Sequence, residues 1–474
     1  MSAAELLGWS LAELARALRA GEVSSREATA AVLAALDGRG RELGAVARLD
    51  PERALAAADQ ADRRRARGET LGPLHGVPLA HKDMFFRAGE LAEMGAAMMR
   101  GHRPEVTATV LARLDAAGAI DVGRLNMVEF ALGITGHNDH TGHPRNPWNP
   151  RHITGGSTSG GAAAVAARLI PGTLGSDTGG SIRYPAACCG LVGLKPTYGR
   201  VSRYGCMPLS HSLDHVGPIA RDAADAALLL GVVAGHDPLD PTTSLRAVPD
   251  YGAGLERGVA GLRLAVAEKG FGTALDAEVA VATGQAVDGL AEAGMRPRRV
   301  TVPDFAPFNA LRRLIMLAEC AALHRDRVAA GRGRYNPQTL SRMEPGFAAS
   351  AVDYVRALAA RAPLVRRFCA EMFADADLLA LPTCPVPTPG IAETDTGGDA
   401  RFTAVANRLG ILVGPFNLLG LPAISVPAGL DRRGLPMGVQ LVAPPFGEGL
   451  LLRAAHALES IGGILAPPPP PAPR

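Results

Sequence analysis

Thr154-Gly-Gly-Ser-Thr-Ser-Gly-Gly161, followed 18 residues later by Gly179-Gly180-Ser181, is the stretch on which the reading of this chain turns. Clustered glycines let backbone amides approach a ligand and converge on a negative charge. One use is to cradle a phosphate, but a P-loop places a Lys-Ser/Thr pair after its glycines and none follows here. A G-x-G-x-x-G after a predicted strand is missing too, which leaves dinucleotide binding weakly supported. The other use is an oxyanion hole beside a serine nucleophile. None of Ser157, Ser159 and Ser181 sits in a G-x-S-x-G elbow, and no S-x-x-K precedes a lysine. What remains is a serine served by a lysine from elsewhere in the chain.

Lysines are scarce. Of 49 basic residues only Lys82, Lys195 and Lys269 are lysine; the other 46 are arginine. High-GC coding bias turns lysine to arginine wherever a surface cation suffices, so a surviving lysine marks a place where the ability to lose a proton matters. Lys82 closes Gly76-Val-Pro-Leu-Ala-His-Lys-Asp83, a short apolar run read as a strand ending in a buried cation. Such a lysine is costly unless neutral or paired. Lys195, in Leu-Lys-Pro-Thr-Tyr-Gly-Arg, reads as a structural turn cation, and Lys269 beside Gly270 as the end of a helix or strand.

Three segments now line up: Gly76-Val-Pro-Leu-Ala-His-Lys-Asp83, Gly155-Gly-Ser-Thr-Ser-Gly-Gly161, and the run from Gly175 through Gly-Gly-Ser181-Ile-Arg-Tyr-Pro to Arg200. Together they resemble the amidase signature family, hydrolases with a Ser–cis-Ser–Lys triad. The joint spacing carries the resemblance: 75 residues from Lys82 to Ser157, then 24 to Ser181. Asn126-Met-Val-Glu-Phe-Ala-Leu-Gly133, Phe416-Asn-Leu-Leu-Gly-Leu-Pro-Ala-Ile-Ser-Val-Pro427 and Gly434-Leu-Pro-Met-Gly-Val-Gln440 extend it over most of the chain.

The resemblance implies an α/β fold with a large mixed central β-sheet flanked by helices on both faces. It implies one amidase domain over residues 1–465, a signature core at about 72–221, and a Pro-rich tail at 466–474. It further implies that Ser181 is the nucleophile, Ser157 the bridging serine after a cis Gly156–Ser157 peptide, and Lys82 the base. The backbone N–H groups of Thr178, Gly179, Gly180 and Ser181 would form the oxyanion hole, with no metal and no organic cofactor. A hydroxyl is a weak nucleophile until a base takes its proton. Lysine at its usual pKa of ~10.4 cannot do so near neutrality, and lowering it by about three units corresponds to roughly 4 kcal/mol, which burial supplies. Two departures bear on the substrate. Thr158 stands where the family often has a second serine, and Met94 stands where relatives carry a small polar residue. Met94, Gly156 and Thr158 are the expected substrate contacts.

Composition narrows the partners. The 474 residues carry a formal charge of +3, which leaves no electrostatic footprint for nucleic acid. An apolar content of 47% supports a packed core. No apolar run reaches the roughly 18–20 residues of a membrane helix, and no secretion signal opens the chain. Six cysteines without C-x-x-C spacing read as buried thiols of a cytoplasmic protein. The expected partner is a small-molecule amide, with no nucleic acid and no membrane; a homodimer is the assembly common among family members. His137, His140 and His143 recur every three residues, but a loop at that spacing does not fix a tetrahedral site. They read as a surface loop near the site mouth.

Capping boxes at Ser10/Glu13 and Ser24/Glu27 predict two N-terminal helices with Gly21 as the stop between them. Helices are predicted over 51–67, 110–117, 162–168, 223–234, 311–330, 352–372 and 450–459, and strands over 119–122, 262–266, 299–302, 378–381 and 423–426. Asp177 and Arg183 are expected to brace the nucleophile loop as an ion pair. Two functions fit: a stand-alone amidase, or the glutaminase component (the A subunit) of a tRNA-dependent amidotransferase. The first is preferred, because the C-terminal half shows no acidic residue and arginine of the kind such components use to grip glutamine, and Asn407-Arg-Leu-Gly-Ile-Leu-Val-Gly-Pro-Phe-Asn417 resembles the stand-alone branch.

Overall fold

Both predicted capping boxes form. In the computed structural model, which describes residues 2–462 and Pro468, Ser10 and Ser24 accept the N–H groups of Glu13 and Glu27, and each glutamate returns a bond to the cap N–H. Gly21, at φ +75°, ends the helix Leu11–Ala20 in the left-handed conformation open to glycine. A third box, Ser2 with Glu5, caps the six-residue helix Ala3–Gly8, too short to show a period in sequence.

Eleven strands follow among the described residues. β1 (Val46–Leu49), β2 (Pro78–Lys82) and β3 (Ile120–Leu125) form a small sheet in the order β1-β3-β2. The remaining strands are β4 (Gly172–Asp177), β5 (Val192–Lys195), β6 (His215–Ala220), β7 (Arg263–Lys269), β8 (Arg296–Thr301), β9 (Leu378–Pro382), β10 (Ala423–Leu430) and β11 (Pro436–Val442). They make one eight-stranded sheet in the order β4-β6-β5-β10-β11-β9-β7-β8. From β4 to β9 every neighbour is antiparallel, and β9, β7 and β8 run parallel, so the sheet is mixed. Helices cover both faces. Along β11, Met437 packs with Val279 and Ala282 of the helix Ala277–Glu292, whereas the Cα of Gly438 turns toward Ala187 of the helix Arg183–Cys189. Successive residues of a strand point to opposite faces, so these helices lie on opposite sides.

The sequence does not mark β1, β4, β5, β6 or β11; of these, β4, β5 and β6 are buried at every residue. Gly172-Thr-Leu-Gly-Ser-Asp and Val-Gly-Leu-Lys carry too many small residues to show an alternation; burial on both faces removes it. The Ala-rich helix begins at Ser159 rather than at 162, inside the glycine motif. Gly160 permits this: a Cβ there would stand 2.4 Å from the Ala45 carbonyl and 2.7 Å from the Asn126 backbone. The helix thus seats directly on the loop that leaves β3. The other predicted elements are present with ends shifted by up to six residues. Of the Pro-rich tail expected at 466–474, all but Pro468 lies outside the described residues.

Candidate active site

Lys82 is the last residue of β2, and its side chain is 0% exposed. Its Nζ donates to Ser157 Oγ at 2.7 Å and to Ser176 Oγ at 2.8 Å. Among the described residues no carboxylate pairs with it. Burial pushes its pKa down to about 7, against the opposing pull of Asp214 and Asp177. The Gly156–Ser157 peptide is cis. Ser157 and Thr158 are wholly buried just ahead of the helix Ser159–Ala166.

Ser181 lies in the turn between β4 and the helix Arg183–Cys189 and is 7% exposed. Its carbonyl accepts Thr158 Oγ1–H at 2.6 Å and the Thr158 N–H at 3.4 Å, which ties the Ser181 loop to the Ser157 loop. Its Oγ has no hydrogen-bond partner among the described residues. The loop is held from beneath by Asp177, which accepts the Gly180 N–H at 2.8 Å and the Arg183 guanidinium at 2.9 and 3.0 Å. Burial works to raise this carboxyl, but Arg183 outweighs it and holds the group well below the usual carboxylate range. The ion pair expected from the sequence is therefore present, with both side chains fully buried. Thr178 Oγ1 donates to Asp214 Oδ1 at 2.5 Å. Of the four amides expected in an oxyanion hole, those of Thr178, Gly179 and Ser181 have no acceptor among the described residues, whereas Gly180's is already taken by Asp177.

Other expected residues lie differently. Met94 is buried at φ +54° with its N–H on Asp83 Oδ2, at 3.0 Å, and its carbonyl accepting from Phe130; its side chain belongs to the core cluster. Lys195, read from the sequence as a structural turn cation, ends β5 fully buried, donating to the carbonyls of Leu421 and Pro196, and burial holds its pKa far below the usual lysine value. Lys269 ends β7, as expected of a strand end. The histidine loop is not a plain surface loop, since His137 is buried with Nε2 on Thr394 Oγ1 at 2.8 Å. Its residues pack against the segment around 394–395, an arrangement that a local sequence pattern does not carry. Among the described residues no group of three His, Cys, Asp or Glu is placed to hold a metal. The six cysteines are free thiols, with Cys206 and Cys369 only partly buried.

Four further residues shape the site without standing out in the sequence. Ser176, five positions before Ser181, is the second partner of Lys82. Asn417 donates to the Asp177 side chain and carbonyl, both at 2.8 Å, and Gln440 Oε1 accepts from Arg183 at 2.5 Å. Both lie in the flanking motifs around 416–427 and 434–440, so a signal existed; its purpose did not show. Arg312, from the helix Phe305–Gly331, reaches the Cα of Gly179 and had no motif to mark it.

The chain is similar to known proteins along nearly its whole length. The Amidase family model matches residues 27–452. The A subunit of the glutamyl-tRNA(Gln) amidotransferase of Geobacter sp. (strain M21) is 40% identical over 478 residues, covering 96% of this chain and 97% of that protein. A structure from work on an unexpected vestigial protein complex that reveals the origins of an s-triazine catabolic enzyme superposes with a TM-score of 0.90 at 35% identity, over 97% of this chain and all of that one. The native peptide amidase of Stenotrophomonas maltophilia superposes with a TM-score of 0.84 at 31% identity, over 97% of this chain and 98% of that one. Near-neutral charge argues by itself against nucleic acid as a partner. The similarity to a protein named as an amidotransferase subunit acting on glutamyl-tRNA(Gln) counts against that exclusion. No helix among the described residues is long and apolar enough to cross a membrane.

Proposed function

This chain belongs to the amidase family and is a carbon–nitrogen amide hydrolase; from that premise we propose that it works through a Ser181 acyl-enzyme, with Ser157 as relay and neutral Lys82 as base. The observation that carries the reading is the buried 2.7 Å contact between Lys82 Nζ and Ser157 Oγ, with no carboxylate paired to the amine among the described residues. The Ser181 hydroxyl proton passes through Ser157 to the lysine lone pair as Oγ bonds to the amide carbon. The N–H groups of Thr178, Gly179 and Ser181 stabilise the oxyanion, each well-placed donor contributing about 3–4 kcal/mol. The proton then returns to the leaving nitrogen as the C–N bond breaks. Water, deprotonated by the same relay, releases the acid. Gly156 and Thr158 shape the site from the Ser157 side. Met94 is a core side chain whose N–H engages the Asp83 carboxylate, so it is not among the substrate contacts of this reading.

The test is hydrolysis of a panel of amides by the purified chain, with ammonia or amine measured, beside Ser181→Ala. Activity that survives Ser181→Ala overturns the reading.

A second reading has its own support. Identity of 40% over nearly the whole chain to the A subunit of an amidotransferase favours a glutaminase that works inside a complex, and this similarity weighs more than the sequence-based preference for a stand-alone enzyme. Co-purified partner proteins that switch on glutamine hydrolysis, with an inert isolated chain, would establish it. Turnover of amides by the isolated chain at full rate would exclude it.

A further inference from the structure

Arg312 is 5% exposed and has no ion-pair partner among the described residues. Its one hydrogen-bond contact is from Nη1 to the Met316 sulfur at 3.6 Å, and its Nε is enclosed and unpaired. Arg342, which follows in the helix Pro337–Met343, has an enclosed and unpaired Nη1 and likewise pairs with no carboxylate among the described residues. Burial, and then Arg342 and Arg313, push the Arg312 pKa down to about 9. Burial also pushes Arg342 down, to about 10. Asp177 is the carboxylate with the strongest pull on Arg312, and both its oxygens are committed to Arg183, Asn417 and the Gly180 N–H. Glu319, on the same helix, is committed to Ser210, Ser212 and Tyr354. A buried guanidinium without a counter-charge is among the costliest arrangements a fold can hold.

The place of this positive charge is specific. A Cβ on Gly179 would stand 2.6 Å from Arg312 Nη1, and one on Gly414 would stand 2.7 Å from its Nε. Within Thr178–Ser181 it is Gly179 that is partly exposed, and its N–H is unpaired. The unbalanced guanidinium therefore lies against the backbone of Gly179, two residues before Ser181.

We propose that Arg312, seconded by Arg342, binds a carboxylate on the acyl side of the substrate, so that the enzyme takes monoamides of small dicarboxylic acids in preference to neutral amides and to amino-acid amides. The preference over amino-acid amides rests on the same inventory: the oxygens of Asp177 and Glu319 are already engaged and leave none to receive an ammonium. This inference rests on the Ser181 acyl-enzyme reading for its place in the reaction, but not for its binding test.

The test has a binding arm and a turnover arm. In the first, succinamate, glutaramate, butyramide and glutamine are titrated calorimetrically into the Ser181→Ala chain, with and without Arg312→Leu or Arg312→Lys. The monoamide anions are expected to bind at least tenfold tighter than butyramide or glutamine; Arg312→Leu abolishes the difference and Arg312→Lys restores part of it. In the second, kcat/KM of the unmodified chain for the same amides is expected to follow this order, with Arg312→Leu costing the anionic substrates about 10–100-fold, mostly in KM, as for a lost charge-assisted bond. Equal binding of butyramide and succinamate, tighter binding of glutamine than of glutaramate, or discrimination that survives Arg312→Leu would overturn the proposal. Tight anion binding without turnover of any amide would instead uphold the anion site and count against the acyl-enzyme reading. Circular dichroism of the Arg312 variants separates loss of the site from loss of the fold.

Discussion

Lys82 and Ser176 hold one another across two sheets: the last side chain of β2 donates to a hydroxyl in β4 at 2.8 Å, while the same Nζ reaches Ser157 at 2.7 Å. The amine is thus fixed by two neutral hydroxyls and, among the described residues, by no anion. That arrangement sets its protonation, and most of the chemistry follows from it.

Activity is expected to rise with pH through about 7. Below that value Lys82, held at about 7 by burial, carries a proton and cannot accept another; above it the amine is neutral and acts as base. The kcat/KM profile should fall about tenfold per pH unit on the acid side. A flat profile from pH 5 to 8 would rule this out.

Lys82→Arg keeps the charge and removes the function. A guanidinium does not give up its proton at working pH, so the rate should drop by about 10²–10⁴-fold, the usual contribution of a positioned base. Retention of near-normal turnover in a steady-state assay would show that Lys82 works charged.

Ser176→Ala removes an acceptor that stabilises the protonated amine. The acid limb should shift to lower pH, since the charged form loses more than the neutral one. Turnover on the plateau should fall severalfold, because Lys82 keeps a single anchor. An unmoved acid limb in the same pH profile would show that Ser176 only fills space.

Asp177→Asn leaves Arg183 buried against a neutral partner and should cost about 3–5 kcal/mol of stability in urea unfolding. The double variant Asp177→Asn/Arg183→Met should cost less than the two single changes added together. Asp177 is held well below its usual pKa, so its contribution is fully present above about pH 4 and is lost as pH falls through the lowered value. Acid unfolding of the Asn variant should accordingly depend less steeply on pH in that range.

Gly160→Ala should destabilise the fold by about 1–3 kcal/mol or more, since the new methyl would meet the Ala45 carbonyl at 2.4 Å and backbone does not step aside. A thermal melt that matches the unmodified protein would mean that the junction between β3 and the helix Ser159–Ala166 is looser than this contact requires.

Much of the fold was readable where a residue acts on its near neighbours. Ser10 and Ser24 cap their helices through residues three positions on, and Gly21 stops one through its own backbone. The strand ending at Lys82 was readable for a different reason: a cation closing an apolar run has few places to go. β4 and β5 were not readable, because strands buried on both faces lose the alternation that marks a half-exposed one. His137 was misplaced for a related reason, since its burial depends on Thr394, 257 residues away.

The sequence by itself determined which residue types stand at which separations along the chain. The separations of 75 and 24 residues between Lys82, Ser157 and Ser181 carry a resemblance to hydrolases with a Ser–cis-Ser–Lys triad, and the scarcity of lysine in an arginine-rich chain draws attention to Lys82. Tertiary structure alone decided the environment in which the set works. It buried Lys82 against two hydroxyls, spent the Gly180 amide on Asp177, braced Asp177 with Asn417 from 240 residues on, and laid Arg312, unpaired with any carboxylate among the described residues, over Gly179. The reason is physical: identity and spacing are properties of the chain, but desolvation and unpaired charge depend on everything that packs around a group, and that is fixed only when distant segments close on one another.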